Sequence, residues 1–63
     1  MLNSQSLSDK RFYTVTDVMD LLSVKETKAY EIIKDLNDEL KEQKYYVVKA
    51  RVPRKYFDKR FGI

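Results

Sequence analysis

The side chains that could do chemistry in this chain are charged groups and hydroxyls, because its 63 residues include no His and no Cys. The usual ligand sets for zinc and haem are therefore missing. No Ser has a general base beside it, and no segment resembles a phosphate-cradling loop. The sequence predicts that the protein is not an enzyme and binds no metal, cofactor or small-molecule ligand.

Positive charge is concentrated in the last third of the chain. Residues 1–43 carry six basic and nine acidic side chains, a balance of −3, and residues 44–63 carry seven basic and one acidic, a balance of +6; together they give the net charge of +3. Such asymmetry predicts that the C-terminal third faces a polyanion. The alternative is an ordinary soluble, solvated surface.

Two amphipathic segments joined by a short turn precede this basic region. Thr14 is a predicted N-cap for the first, with Asp17 three residues later as a capping-box analogue, and the second extends to about Glu42. Each has apolar residues on one helical face: Val15, Val18, Met19 and Leu22 in the first, and Ala29, Ile33, Leu36 and Leu40 in the second. This pattern is typical of a helix-turn-helix, whose second helix commonly enters the DNA major groove.

The start of the second helix has two candidates. Ser23 and Glu26 match a capping box, which would start the helix at Val24. Lys25 is the other possible cap, although its side chain cannot accept the hydrogen bond that a cap normally receives. The sequence does not choose between them.

The strongest β signal is the run Tyr45-Tyr46-Val47-Val48, and it predicts a hairpin, or wing, with the residues that follow. A three-residue loop would pair Val48 with Val52 and place both on the core face with Tyr46. Pro53 ends the pairing and opens a short last helix, which Gly62 stops.

The predicted fold class is therefore mostly α with a small β-hairpin. A flexible arm (residues 1–11) precedes a winged helix-turn-helix domain (residues 12–63). No apolar run approaches the roughly 20 residues of a membrane span, and the N-terminus lacks the apolar core of a signal peptide. A cytoplasmic location with no membrane partner is expected.

The order of elements and several motif residues resemble the small winged helix-turn-helix proteins of the excisionase family, which belong with the MerR-like DNA-binding domains. The matching segments are Tyr13-Thr14-Val15, Asp17-Val18, Leu21-Leu22-Ser23-Val24, Lys28-Ala29-Tyr30 and Ile32-Ile33, followed by the wing and a helix opened by Val52-Pro53. The resemblance covers about residues 12–61. It implies a protein of a phage, plasmid or integrative element. Ser23 replaces a usual Gly, and Lys25 stands where Ser or Thr often caps the helix.

The predicted contacts with double-stranded DNA form two groups. Thr27 could meet a thymine methyl or a phosphate, and Lys28 could reach a guanine or a phosphate. Glu26 could accept from a cytosine amino group or simply cap the helix, and Tyr30 could belong to the core. The recognition-helix group is Lys25, Glu26, Thr27, Lys28, Tyr30, Glu31 and Lys34. The wing and its flank supply cations for phosphates or a narrow minor groove: Lys44, Lys49, Arg51, Arg54 and Lys55.

Three functions fit these patterns. The first is an excisionase, a recombination directionality factor that organises or bends attachment-site DNA for a site-specific recombinase, with self-association on DNA as an option. The second is a small transcriptional regulator of a mobile element. The third is a protein-interaction module without DNA binding, which would use the stripe Ala29, Ile33, Leu36 and Leu40 together with Phe57 and Phe61.

Overall fold

The part of the chain that the structure describes folds as three helices and a two-stranded sheet. The computed structural model describes residues 11–63, so the predicted arm (1–11) lies outside the described residues except for Arg11. The mostly helical class with a small two-stranded antiparallel sheet is confirmed and is compatible with a winged helix-turn-helix. The elements in order are β1 (Phe12–Thr14), α1 (Val15–Leu22), α2 (Glu26–Glu42), β2 (Arg51–Pro53) and α3 (Arg54–Phe61).

The first helix begins with the predicted capping box. The Asp17 amide donates to Thr14 Oγ1 at 3.3 Å, and the Thr14 amide donates to Asp17 Oδ2 at 3.0 Å. The helix ends at Ser23, which has the left-handed conformation with φ of 55°. Ser23 thus caps the end of α1, so α2 begins at Glu26 with Lys25 at its N-cap and no side-chain cap bond.

We predict that Ser23→Gly stabilises the protein. A left-handed conformation costs a non-glycine residue about 1 kcal/mol, and glycine avoids this cost. Glycine also raises the conformational entropy of the unfolded chain, which offsets part of the stabilisation. The net gain is expected to be a few tenths to about 1 kcal/mol, measured by urea unfolding. Ser23→Ala is the matched control, because alanine keeps the Cβ; an equal gain for both variants would contradict this explanation.

One hydrophobic core joins all five elements. Its buried residues are Tyr13, Val18, Ala29, Ile33, Leu36, Val52 and Phe57, and Leu40 is also buried. The rings of Tyr13 and Phe57 meet edge to face with centroids 5.2 Å apart. The α2 stripe therefore packs inside the protein. It is not the partner-binding surface of the predicted interaction module, for which only Phe61 remains substantially exposed.

The strand pairing differs from the expected one. β1 pairs antiparallel with β2, and Tyr13 lies opposite Val52. The predicted Val48–Val52 pair is wrong: Val48 is 50% exposed and Tyr46 is fully exposed. Residues 43–50, which we call the wing loop, form neither helix nor strand. A tight hairpin turn normally needs Gly, Asn or Asp, and this loop contains none, whereas pairing with β1 buries Val52 against Tyr13.

A polar cluster fastens α3 to α2. Arg60 donates from Nε and Nη2 to the two carboxylate oxygens of Glu39 at 2.8 and 2.9 Å, and the Tyr56 hydroxyl donates to Glu39 Oε1 at 2.6 Å. The hydrogen bonds from Arg60 and then Tyr56 lower the pKa of Glu39 from its ordinary 4.5 to about 2. A paired, fork-shaped contact of this kind is stronger than an isolated surface ion pair.

This cluster predicts a pH dependence of stability. The pKa of Glu39 is lower in the folded state, so its contribution is fully present above about pH 4.5 and is lost as the pH falls toward 2. We expect wild type to melt above Glu39→Gln at pH 7, with the difference in Tm shrinking between pH 4.5 and 2. Thermal melts across this range test it, and a constant difference would contradict it.

Candidate nucleic-acid interface

The N-terminal turn of α2 is open to solvent. The side chains of Lys25, Glu26, Thr27 and Lys28 are all exposed, as sequence reasoning expected of DNA contacts. Because Lys25 supplies no side-chain cap, the first amides of α2 have no acceptor from it. Free amides at the positive end of a helix dipole form a good site for a phosphate.

The outward face of α2 is acidic. Its exposed carboxylates are spaced four, three and four residues apart. Each one follows a residue of the buried stripe by two positions, which places the carboxylates about 200° around the helix from that stripe. They are Glu31, Asp35, Asp38 and Glu42. Two are partly neutralised, since Lys28 lies 3.9 Å from Glu31 and Lys34 lies 3.2 Å from Asp38. Both pairs are highly exposed and therefore weak. This face on its own would repel a polyanion.

The side of α2 that faces the wing loop carries lysines beside part of this acidic stripe. Here Thr27, Lys34 and Lys41 recur every seven residues, with Tyr30 between the first two. Together with Lys49 of the wing loop they line a groove of about 780 Å³, which Glu31 and Asp38 of the acidic stripe also border. Tyr30 is 47% exposed, so it is available for contact and is not a core residue. Sequence reasoning missed Lys41, although its seven-residue spacing from Lys34 was a usable signal.

Most cations of the wing and its flank are not engaged within the protein. The exposed side chains of Lys44, Lys49, Arg51 and Lys55 make no ion pair with any described residue. Arg54 differs, because it is half-buried and its Nε lies 3.5 Å from Asp58 Oδ2. Asp58 also accepts a hydrogen bond at 3.3 Å from Tyr13, whose pKa burial raises. Arg54 is thus the predicted contact that is least free to reach DNA.

Other kinds of site find little support in residues 11–63. No group of three or more His, Cys, Asp or Glu there is placed to hold a metal ion. Within the same range, no helix is both long enough and apolar enough to cross a membrane.

The helix pair α1 and α2, with the cationic wing loop beside α2, is the arrangement of a small winged helix-turn-helix protein. Over 47 residues the chain is 40% identical to the ICEBs1 excisionase of Bacillus subtilis (strain 168), an alignment that spans 75% of this chain and 73% of that protein. No family model and no solved structure matches the sequence.

This identity and coverage show that the chain belongs to the excisionase family, as the sequence motifs predicted. Members of this family are recombination directionality factors of mobile elements and are not enzymes. The prediction of a non-enzymatic protein is therefore confirmed.

Proposed function

We propose that this protein is an excisionase that binds double-stranded attachment-site DNA sequence-specifically and bends or organises it for a site-specific recombinase. The observation that carries the proposal is the groove between α2 and the wing loop. Lys34 and Lys41 line it from the helix, and Lys49 lines it from the loop. The lining also includes Glu31 and Asp38, so three lysines face two carboxylates and the groove carries a net charge of +1. Lysines on both walls suit a phosphate chain, which carries one negative charge per nucleotide.

The charge pattern orients the protein on the duplex. The N-terminal turn of α2 enters the major groove, where its short polar side chains reach base edges. The sugar-phosphate strand lies in the groove between α2 and the wing loop. Lys49 of the wing loop and Arg51 at the start of β2 meet the adjacent minor groove. The acidic stripe of α2 disfavours any approach in which that face lies flat on DNA.

Within this arrangement, Thr27 and Lys28 are the proposed base readers, with Lys25 at a phosphate beside the open helix terminus. Tyr30 contacts the sugar-phosphate strand through its hydroxyl. Glu26 accepts from a cytosine amino group or complements the helix dipole. Glu31 lies on the acidic stripe, and its carboxylate is repelled by phosphate. It can therefore contact DNA directly only by accepting a hydrogen bond from a donor on a base edge. Lys44, Arg54 and Lys55 add phosphate contacts at the flank.

Footprinting on the DNA that flanks the protein's own gene tests this function. We expect protection of several tandem sites near an attachment site, a bend detectable by a shift in gel mobility, and stimulation of excision when the recombinase is added. A single palindromic footprint over a promoter, with no effect on excision, would contradict the proposal and favour a transcriptional regulator.

A further inference from the structure

A buried amide on α2 holds the wing loop in place. Asn37 is 6% exposed, and its Nδ2 donates to the Val48 carbonyl at 3.2 Å and to the Arg51 carbonyl at 2.9 Å. Carbonyl oxygens can only accept, so the amide must turn its NH₂ group toward them. One side chain thus bridges the recognition helix to both ends of the Val48–Arg51 turn.

The wing loop has few other attachments. Its backbone is held at its start, where the Tyr45 amide donates to the Leu40 carbonyl at 3.0 Å, and within its last turn, where the Arg51 amide donates to the Val48 carbonyl at 3.1 Å. The side chains of Tyr45, Tyr46 and Val48 are 61%, 101% and 50% exposed, so they do not anchor the loop in the core. Val47 is half-buried. Beyond Tyr45, the two Asn37 bonds are the hydrogen bonds that tie this loop to α2 among the described residues.

The remaining polar atom of Asn37 is unsatisfied. Its Oδ1 is buried with no hydrogen-bond partner among the described residues. A buried acceptor without a partner is unfavourable, so an apolar side chain at this position would avoid that cost. An apolar side chain could not, however, donate the two hydrogen bonds that Asn37 makes to the Val48 and Arg51 carbonyls.

We propose that Asn37 is a positioning residue for DNA binding: it sets the distance between the wing cations and α2. Its two bonds lie on either side of Lys49, and its side chain lies in the wall of the same groove as Lys34 and Lys41. The inference rests on the proposed function, because it assigns Asn37 a role in the DNA contact without making it touch DNA.

The test uses Asn37→Leu, which removes the donors at similar size without changing net charge. We expect affinity for an attachment-site duplex to fall about tenfold, as the loss of two hydrogen bonds would allow. In a background that already carries Lys49→Ala and Arg51→Ala, the same change should alter affinity less than twofold, because the loop then has little left to position. Val18→Ala, a core change on α1, is the destabilised control and should leave affinity unchanged while folded.

The outcomes separate the two claims. Absence of DNA binding by wild type would overturn the proposed function itself. Salt-dependent binding by wild type with unchanged affinity for Asn37→Leu, or an equal loss in both backgrounds, would overturn only the role of Asn37. If Asn37→Leu folds poorly, Asn37→Ala removes the same donors without adding charge or bulk and provides the same cycle. Amide NMR shift changes in residues 44–51, in addition to those next to position 37 on α2, are the expected signature in the free protein.

Discussion

Phe57→Ala is expected to leave the domain largely unfolded. The Phe57 side chain is completely buried, between the rings of Tyr13 and Phe61, whose centroids lie 5.2 and 4.5 Å from its own. Truncation of a buried Phe costs about 3–5 kcal/mol. A chain of this length has a total stability of about 3–9 kcal/mol. Circular dichroism with urea titration would show either a loss of helical signal or a midpoint far below that of wild type.

Phe61→Ala is the matched control for this experiment, since it removes the same ring one turn later from a position that is 41% exposed. We expect it to cost about 1 kcal/mol, mainly from lost contact with Phe57. Comparable losses for the two variants, or a loss below about 1 kcal/mol for Phe57→Ala, would contradict the assignment of Phe57 as the centre of the core.

Combined Lys49→Ala and Arg51→Ala substitution is expected to weaken DNA binding by tenfold or more without changing Tm. Both side chains are exposed and make no ion pair with a described residue, so folding does not depend on them. Each phosphate contact contributes about 0.9 to the slope of log affinity against log salt, so the slope should fall by about 1.8. Fluorescence anisotropy at several salt concentrations measures both quantities.

Lys59→Ala provides the charge control for the single variant Lys49→Ala. Lys59 is exposed on α3 and is not among the proposed contacts. Both variants lower the net charge equally, so a nonspecific charge effect would weaken binding to the same extent in each. Equal weakening would mean that the wing loop is not a contact surface.

Local signals were enough to predict the helices. The Thr14–Asp17 pair predicted the start of α1, and the apolar stripe predicted that α2 extends to Glu42. Pro53 and Gly62 predicted the two ends of α3. These features depend on residues three or four positions apart, which is the range over which helices form their contacts. The start of α2 was undecided because Ser23 suits two roles, and only the backbone shows that it closes α1.

The strand pairing could not be predicted in the same way. Tyr45–Val48 has high β propensity, but propensity does not identify a partner, and burial of Val52 against Tyr13 joins segments nearly 40 residues apart in the chain. The groove depends on the same tertiary arrangement. Asn37 became recognisable as a candidate functional residue only when the wing loop was seen beside α2. Lys41 did have a signal in the sequence, its seven-residue spacing from Lys34.

The most direct test of DNA binding is the salt dependence of wild-type affinity for a duplex that contains the attachment site. With four to six cations at phosphates, the slope of log affinity against log salt is expected to be about −3.6 to −5.4. A scrambled duplex should bind more weakly with a similar slope, because phosphate contacts carry no sequence information. Undetectable binding, or a slope of magnitude below about 1, would contradict the account.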